Sequence, residues 1–313
     1  MRSVNRSGLI IFIYVYLKIR IPHTLLEMLR VLIRPTTYQI LPIQDGQNPY
    51  IDISYEPHRK KIMDQHTKVE RAFQNTIAYT LEHPRHHLPD IVFTANSALF
   101  LPRLPVATLL LPRMKYQQRK EELPYLRKIF ADLNLRTISL PGREPFEGQA
   151  ELKWFHGGTK AVCGYGHRST KKSFQTAQVF FDALYGKYNL LSPQLLILPL
   201  ESADYYHLDV AMLEFDDTSC VVHRRAFSKE SIKKLKDFLG AAHVHVLDTD
   251  DSFCLNAVMD GNRLITHSLT PDLKAELESI TKKKIHMVDT SEFEKSGGSV
   301  RCMTLDILNQ YKQ

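Results

Sequence analysis

The sequence predicts an α/β protein assembled from a repeated strand and helix unit, and three observations predict it. From residue 28 onward, short apolar runs rich in β-branched residues alternate with amphipathic segments of helical period. Each helical segment is followed by a strand-like run, which is the order of an α/β fold. Polar residues at strand ends also recur: Asn48, Asn96, Glu147, His207, Asn256 and Cys302 are separated by 48, 51, 60, 49 and 46 residues. A period of about fifty marks a repeated supersecondary unit. Such units would close into a propeller-like ring whose strand ends converge on one central site.

Taken in order, the first strand is expected at 29–33, where an apolar run stops just before Pro35. The segment 58–82 reads as a helix, with Val69, Phe73, Ile77 and Leu81 at four-residue steps. Strands are expected at 90–95, 107–111 and 136–140, the last two flanking a helix at 117–133. Runs at 160–164 and 193–198 flank a helix at 173–186. Strands at 208–214 and 219–223 lead into a helix at 228–239 and a strand at 243–247. The last set is 254–259 and 262–266, then a helix at 271–281 and a strand at 284–288.

The 313 residues are 43% hydrophobic and 24% charged, the balance of a folded chain with no low-complexity tract. A formal charge of +7 raises the question of nucleic acid. The basic clusters at 58–61, 169–172 and 281–284 are separated and not interleaved with aromatic residues, so no nucleic-acid partner is expected. Cys163, Cys220, Cys254 and Cys302 are too few and too dispersed for a disulfide framework. No CxxC or paired His/Cys spacing points to a metal, and no GxGxxG, P-loop or HExxH points to a cofactor. A reducing, cytoplasmic compartment is the simplest reading.

The apolar run at 8–17 follows Arg2 and Arg6 and is stopped by Lys18 and Arg20. It is too short to cross a bilayer, which takes ~20 residues, so no membrane association is expected. It matches the apolar region of a signal peptide in length, yet no small-x-small cleavage site follows it. Another reading places the working start at Met28, which would lower the charge from +7 to +4. Residues 1–27 are therefore read as an extension and 28–313 as one domain.

The strongest local signal is SGGSVRCMT at 296–304. Two glycines let the backbone turn tightly, so the Cys302 thiol beyond them can stand exposed beside Arg301. Cys163, Cys220 and Cys254 lie inside apolar runs and read as small buried hydrophobes. A second signal is YYHLDV at 205–210, where His207 and Asp209 would share one face of a strand. A carboxylate beside an imidazole favours the imidazolium formed during proton transfer. Two further segments supply Asp90 with Asn96, and Glu147 with Glu151, beside turns. Carboxylates so placed suit a cation with several N–H donors, such as a guanidinium.

With QNPYID, PDIVFTAN, FEGQAE and GYGHRS, these motifs resemble the guanidine-modifying enzymes of the pentein superfamily over roughly residues 28–310. That superfamily holds arginine deiminases, dimethylarginine dimethylaminohydrolases and amidinotransferases. The resemblance implies a five-bladed α/β propeller of ββαβ-type repeats with pseudo-fivefold symmetry and an axial active site. It implies Cys302 as nucleophile, His207 as proton donor and base, and Asp209 as its neighbour that touches substrate. Glu147 would bind the guanidinium, Asp90 would stand at the edge of the site, and Arg168 would grip a substrate carboxylate. Asn96 stands where deiminases and many dimethylargininases carry an aspartate, and Ala150 replaces an acid that Glu151 would supply instead.

The expected activity is hydrolysis of a free arginine derivative, dimethylarginine-like in preference to arginine, through a thiouronium on Cys302. An amine acceptor would make the same machinery an amidinotransferase. A rival of another class is a non-catalytic propeller used as a binding surface. Retention of Cys302, His207 and Glu147 together speaks against it.

Overall fold

The computed structural model describes residues 29–40, 48–82, 84 and 88–307, so the extension expected at 1–27 lies outside the described residues. Within them the chain is a mixed α/β fold of five three-stranded sheets. The first holds β1 (Leu29–Ile33), β2 (Thr76–Tyr79) and, from the far end of the chain, β15 (Leu305–Ile307). The second is β3 (Leu99–Leu101), β4 (Thr108–Leu111) and β5 (Arg136–Ser139), and the third β6 (Leu152–Phe155), β7 (Lys160–Tyr165) and β8 (Gln194–Pro199). The fourth is β9 (Met212–Glu214), β10 (Cys220–His223) and β11 (Val244–Leu247), and the fifth β12 (Val258–Asp260), β13 (Arg263–Thr266) and β14 (Lys284–Met287).

All five sheets follow one order. A central strand pairs antiparallel with one neighbour and parallel with the other. The parallel partner needs a crossover, and a helical segment supplies it each time. These are α1 (Arg59–Ala72), α2 (Gln117–Lys120) with α3 (Leu123–Asp132), α4 (Lys171–Gly186), α6 (Lys229–Leu239) and α7 (Pro271–Thr281). Side-chain oxygens of Thr170, Ser228 and Thr270 cap the starts of α4, α6 and α7. On α4, Phe174, Ala177, Phe181 and Tyr185 form one apolar stripe packed with Phe146 and Cys163. Burying such a phenylalanine stabilises the fold by ~1.5–3 kcal/mol.

Several sequence expectations need correction. The helix expected at 58–82 ends at Ala72, and Ile77 belongs to β2, which pairs parallel with β1. The four-residue spacing continued by coincidence across the break. The strand expected at 90–95 is turn structure leading into a 3-10 turn at Thr94–Ser97. There the Thr94 hydroxyl bonds the carbonyls of Val31 and Met303, and Ala95 N–H donates to Cys302, so tertiary bonds take the place of a sheet ladder. The strand expected at 208–214 opens as one helical turn, α5 (Leu208–Ala211), before β9. Only the end of 254–259 is strand, and the helix at 117–133 is broken between α2 and α3. The strands β2, β3, β6 and β15 were not anticipated. A last short helix, α8 (Ser291–Glu294), leads to the glycine turn before Cys302.

Candidate active site

Polar residues spaced about fifty apart in sequence meet in space. Asn48, Asn96, His207 and Cys302, with Asp90 and Arg168, line one cavity. Glu147 bonds His207, and Asn256 bonds Cys302, so all six recurring residues belong to one constellation.

Cys302 follows α8 and the glycine pair. Gly297 has a φ of 87°, and a Cβ on Gly298 would overlap the Phe93 ring, so this turn requires glycine at both positions. The amide of Asn256 accepts from Cys302 N–H through Oδ1 at 3.2 Å and donates to Sγ through Nδ2 at 3.1 Å. On another side, Sγ faces Asp209 Oδ2 at 3.6 Å. Burial and the nearby Asp209 push the Cys302 thiol well up, so it rests protonated near neutral pH.

His207 is the N-cap residue of α5, not part of a strand, so His207 and Asp209 do not share a strand face. The carboxylate that meets the imidazole is Glu147: its Oε2 lies 2.8 Å from Nε2. Asn96 Nδ2 lies 3.1 Å from the same Nε2 and donates to Glu147 Oε2 at 3.2 Å. His207 Nε2 therefore has an acceptor and a donor within reach, which suits it with or without its proton. Burial pushes His207 below the usual histidine range against the pull of Glu147. Burial alone would raise Glu147, but the His207 hydrogen bond and the Arg168 charge outweigh it and hold Glu147 well down. Glu147 also accepts Lys115 N–H through Oε1 at 2.9 Å.

Glu151 stands behind this pair, its Oε1 3.9 Å from His207 Nε2. Its oxygens accept the backbone N–H groups of Ser169 and Leu208, so it ties the start of α5 to the Arg168 loop. Arg168 is sandwiched between the rings of Tyr116 and Tyr206, at 4.6 and 4.8 Å, and reaches Glu147 Oε2 at 3.6 Å. Burial raises Asp90, while Arg119 and Arg168 draw it back.

Arg119 and Tyr206 also line the cavity and were missed from sequence. Arg119 is buried, pairs with Glu122 at 2.9 Å and donates to the carbonyls of Asp90 and Phe93. It sits in a charged run that reads as a solvated helix face. Asn256 carried a usable signal, since its spacing put it with the others, but no chemistry was attached to it. No group of three or more His, Cys, Asp or Glu among the described residues is arranged to hold a metal ion.

The fold is that of the pentein enzymes. The N-terminal domain of ArgZ, an arginine dihydrolase from Cyanobacteria, superposes with a TM-score of 0.76 at 21% identity, over 90% of this chain and 98% of that domain. In sequence, the N(G),N(G)-dimethylarginine dimethylaminohydrolase of Mycobacterium tuberculosis is 29% identical over 228 residues, 72% of this chain and 68% of that enzyme. The bifunctional arginine dihydrolase/ornithine cyclodeaminase ArgZ of Synechocystis is 24% identical over 263 residues, covering 83% of this chain but 35% of that longer protein. The sequence profile of the family described as N,N dimethylarginine dimethylhydrolase, eukaryotic, matches residues 37–309, and the chain belongs to that family.

Proposed function

We propose that this chain is a cysteine hydrolase of the guanidine group of a free arginine derivative, with a dimethylarginine-like substrate preferred to arginine. The observation that carries it is the meeting of Cys302, His207 and Arg168 at one cavity, with Glu147 bonded to His207 and paired with Arg168 behind them. Dimethylarginine and arginine hydrolysis among the relatives supports the reaction class.

In this reading the five sheets are the blades of a propeller formed by one catalytic domain. Pairing of β15 with β1, which joins the two ends of the described chain in one sheet, supports that closure. The guanidinium is held by Glu147 with Asp90 nearby, and its cation beside Cys302 offsets the charge of a thiolate there. Asp209 is the acceptor that the thiol proton faces. The thiol proton passes by way of Asp209 to His207, the thiolate adds to the guanidinium carbon, and His207 gives that proton to the departing amine as the C–N bond breaks. A thiouronium on Cys302 remains. His207, neutral again, takes a proton from water, whose oxygen adds to the same carbon, and that proton returns to the sulfur as the thiolate is expelled. One water is consumed, and one amine and one ureido product are released. Arg168, held between two tyrosines with a buried Nε that lacks a hydrogen-bond partner among the described residues, is suited to the substrate carboxylate.

Asn96 donates to Glu147 and so occupies an acceptor that arginine, with more N–H groups than a methylated arginine, would need, which supports the preference for a substituted guanidine. The test is a screen of arginine, methylated arginines and agmatine for ureido product, with and without an acceptor amine. Ureido product from methylated arginines supports the proposal. A new guanidine formed on the added amine, with no ureido product, would make the enzyme an amidinotransferase, and no product of either kind would leave the binding-surface reading.

A further inference from the structure

Glu147 and Glu151 stand at the two ends of one short 3-10 turn, Gly148–Glu151, with Glu147 as its N-cap residue. Gly148 has a φ of 63°, and a Cβ there would overlap the backbone oxygens of Asn96 and Ala98, so the turn is pressed against the segment that carries Asn96. Glu151 is fully buried, and each of its oxygens accepts one backbone N–H: Oε1 that of Ser169 and Oε2 that of Leu208, both at 3.2 Å. Each donor is the residue immediately after a residue of the site, Ser169 after Arg168 and Leu208 after His207. The Ser169 hydroxyl in turn accepts Glu147 N–H at 3.0 Å. Three site residues from three separate segments thus have their backbones joined through Glu151 and Ser169.

The bond to Leu208 has a local reason. Leu208 opens α5, and the first N–H groups of a helix have no partner within it. An N-cap residue ordinarily serves such groups with its own side chain. His207 makes no such bond, because its Nε2 is turned to Glu147 Oε2 at 2.8 Å. Glu151 serves Leu208 from another part of the chain and leaves the imidazole free to move protons. Arg168 reaches the same Glu147 Oε2 at 3.6 Å, so the two side chains converge on one atom while Glu151 fixes the backbone beneath each. Burial and Glu147 push Glu151 well up. The tie does not depend on its charge, because a carboxyl group keeps acceptor capacity on its oxygens when protonated.

We propose that Glu151 is a positioning residue that couples His207 to Arg168, so that one buried group sets both protonation of the leaving amine and recognition of the substrate carboxylate. The inference rests on the proposed function in its kinetic arm and is independent of it in its exchange arm.

The test compares the whole chain with Glu151→Gln and Glu151→Leu. The probes are amide hydrogen exchange and turnover of an N-methylated arginine and of its decarboxylated counterpart, an N-methylated agmatine. A glutamine amide has one acceptor oxygen and serves Ser169 or Leu208 but not both, and leucine serves neither. In Glu151→Gln one of these two amides should exchange at least about tenfold faster, while that of Phe181 within α4 keeps its rate. The amide that is freed should predict the kinetics. A freed Leu208 lowers kcat for both substrates, and a freed Ser169 lowers the preference for the carboxylate-bearing substrate, each by about tenfold. Glu151→Leu should show both effects, and if it fails to fold the isosteric Glu151→Gln carries the test alone. Unchanged exchange at both amides in Glu151→Gln would overturn the proposal. So would a freed amide whose matching kinetic constant does not move. If no guanidine is turned over, the proposed function fails, while exchange at Ser169 and Leu208 still decides whether Glu151 holds the two segments.

Discussion

Asn256 holds Cys302 with both ends of one amide, accepting from its backbone N–H at 3.2 Å and donating to its sulfur at 3.1 Å. The N–H donor matters most when the sulfur is negative. A hydrogen bond to a charged group contributes ~1.5–3 kcal/mol, and a factor of ten corresponds to about 1.4 kcal/mol. Asn256→Ala should therefore slow alkylation of Cys302 and lower kcat/KM by about tenfold or more. Asn256→Asp, which sets a like charge beside the thiolate, should lower both further. Unchanged alkylation in Asn256→Ala would show that the contact does not act on the thiolate.

Cys302→Ser should abolish turnover and keep the fold, because the hydroxyl is nearly isosteric and far less nucleophilic at neutral pH. Mass spectrometry of a quenched reaction should find an adduct on Cys302. Cys163, Cys220 and Cys254 are buried, and burial raises each thiol, so an adduct on any of them would refute the assignment.

His207→Gln and His207→Ala should bind substrate but lower kcat by ~10²–10⁴, since both proton transfers pass through one imidazole. Rapid-quench kinetics should show whether the amine leaves before the reaction stalls. A kcat like that of the unsubstituted protein would make His207 structural.

Asn96→Asp should improve kcat/KM for arginine relative to N-substituted arginines. The amide donates to Glu147 and offers a cation one acceptor oxygen, whereas a carboxylate would add a second charge and further acceptors. The expected change in the ratio is about tenfold, the effect of one charge-assisted contact. A ratio that stays put, or an unsubstituted enzyme that already prefers arginine, would remove the argument for a substituted substrate.

His267 gives a pH-dependent stability. Its ring lies 3.1 Å from Asp251 and 3.3 Å from Glu294. Burial opposes its charge, but the two carboxylates outweigh burial and raise its pKa from 6.5 to about 9. Because the folded value lies above the unfolded one, the added stability is fully present below about pH 6.5 and is lost as pH rises through about 9. Urea unfolding of the parent and His267→Gln should differ by roughly 2 kcal/mol near pH 6 and should converge by pH 9.5. A difference that does not change with pH would place the contribution in packing.

The site was more legible in the sequence than its supports. Recurring polar residues betray a repeated unit, so Asn48, Asn96, Glu147, His207, Asn256 and Cys302 could be grouped before any coordinates were known. The pairing of His207 was misread because Leu208 and Val210 alternate as they would in a strand. A bond from Leu208 N–H to Glu151, distant in sequence, accompanies a helical turn there instead. Arg119 gave no signal, since a single arginine in a charged segment looks the same whether it faces water or pairs with a buried Glu122. The β2 strand was hidden by an apolar spacing that serves a helix and a strand equally well.

The pairing of β15 with β1 also governs when the site can exist during synthesis. The first strand is made early, yet its antiparallel partner begins only at Leu305, three residues past Cys302. Contacts this far apart in sequence form late, because a long loop must close before they are rewarded. The nascent chain thus carries His207 and Glu147 well before it carries Cys302, and on the proposed mechanism a polypeptide interrupted before Cys302 is inert. On that mechanism, chemical competence arrives only with the strand that completes the first sheet.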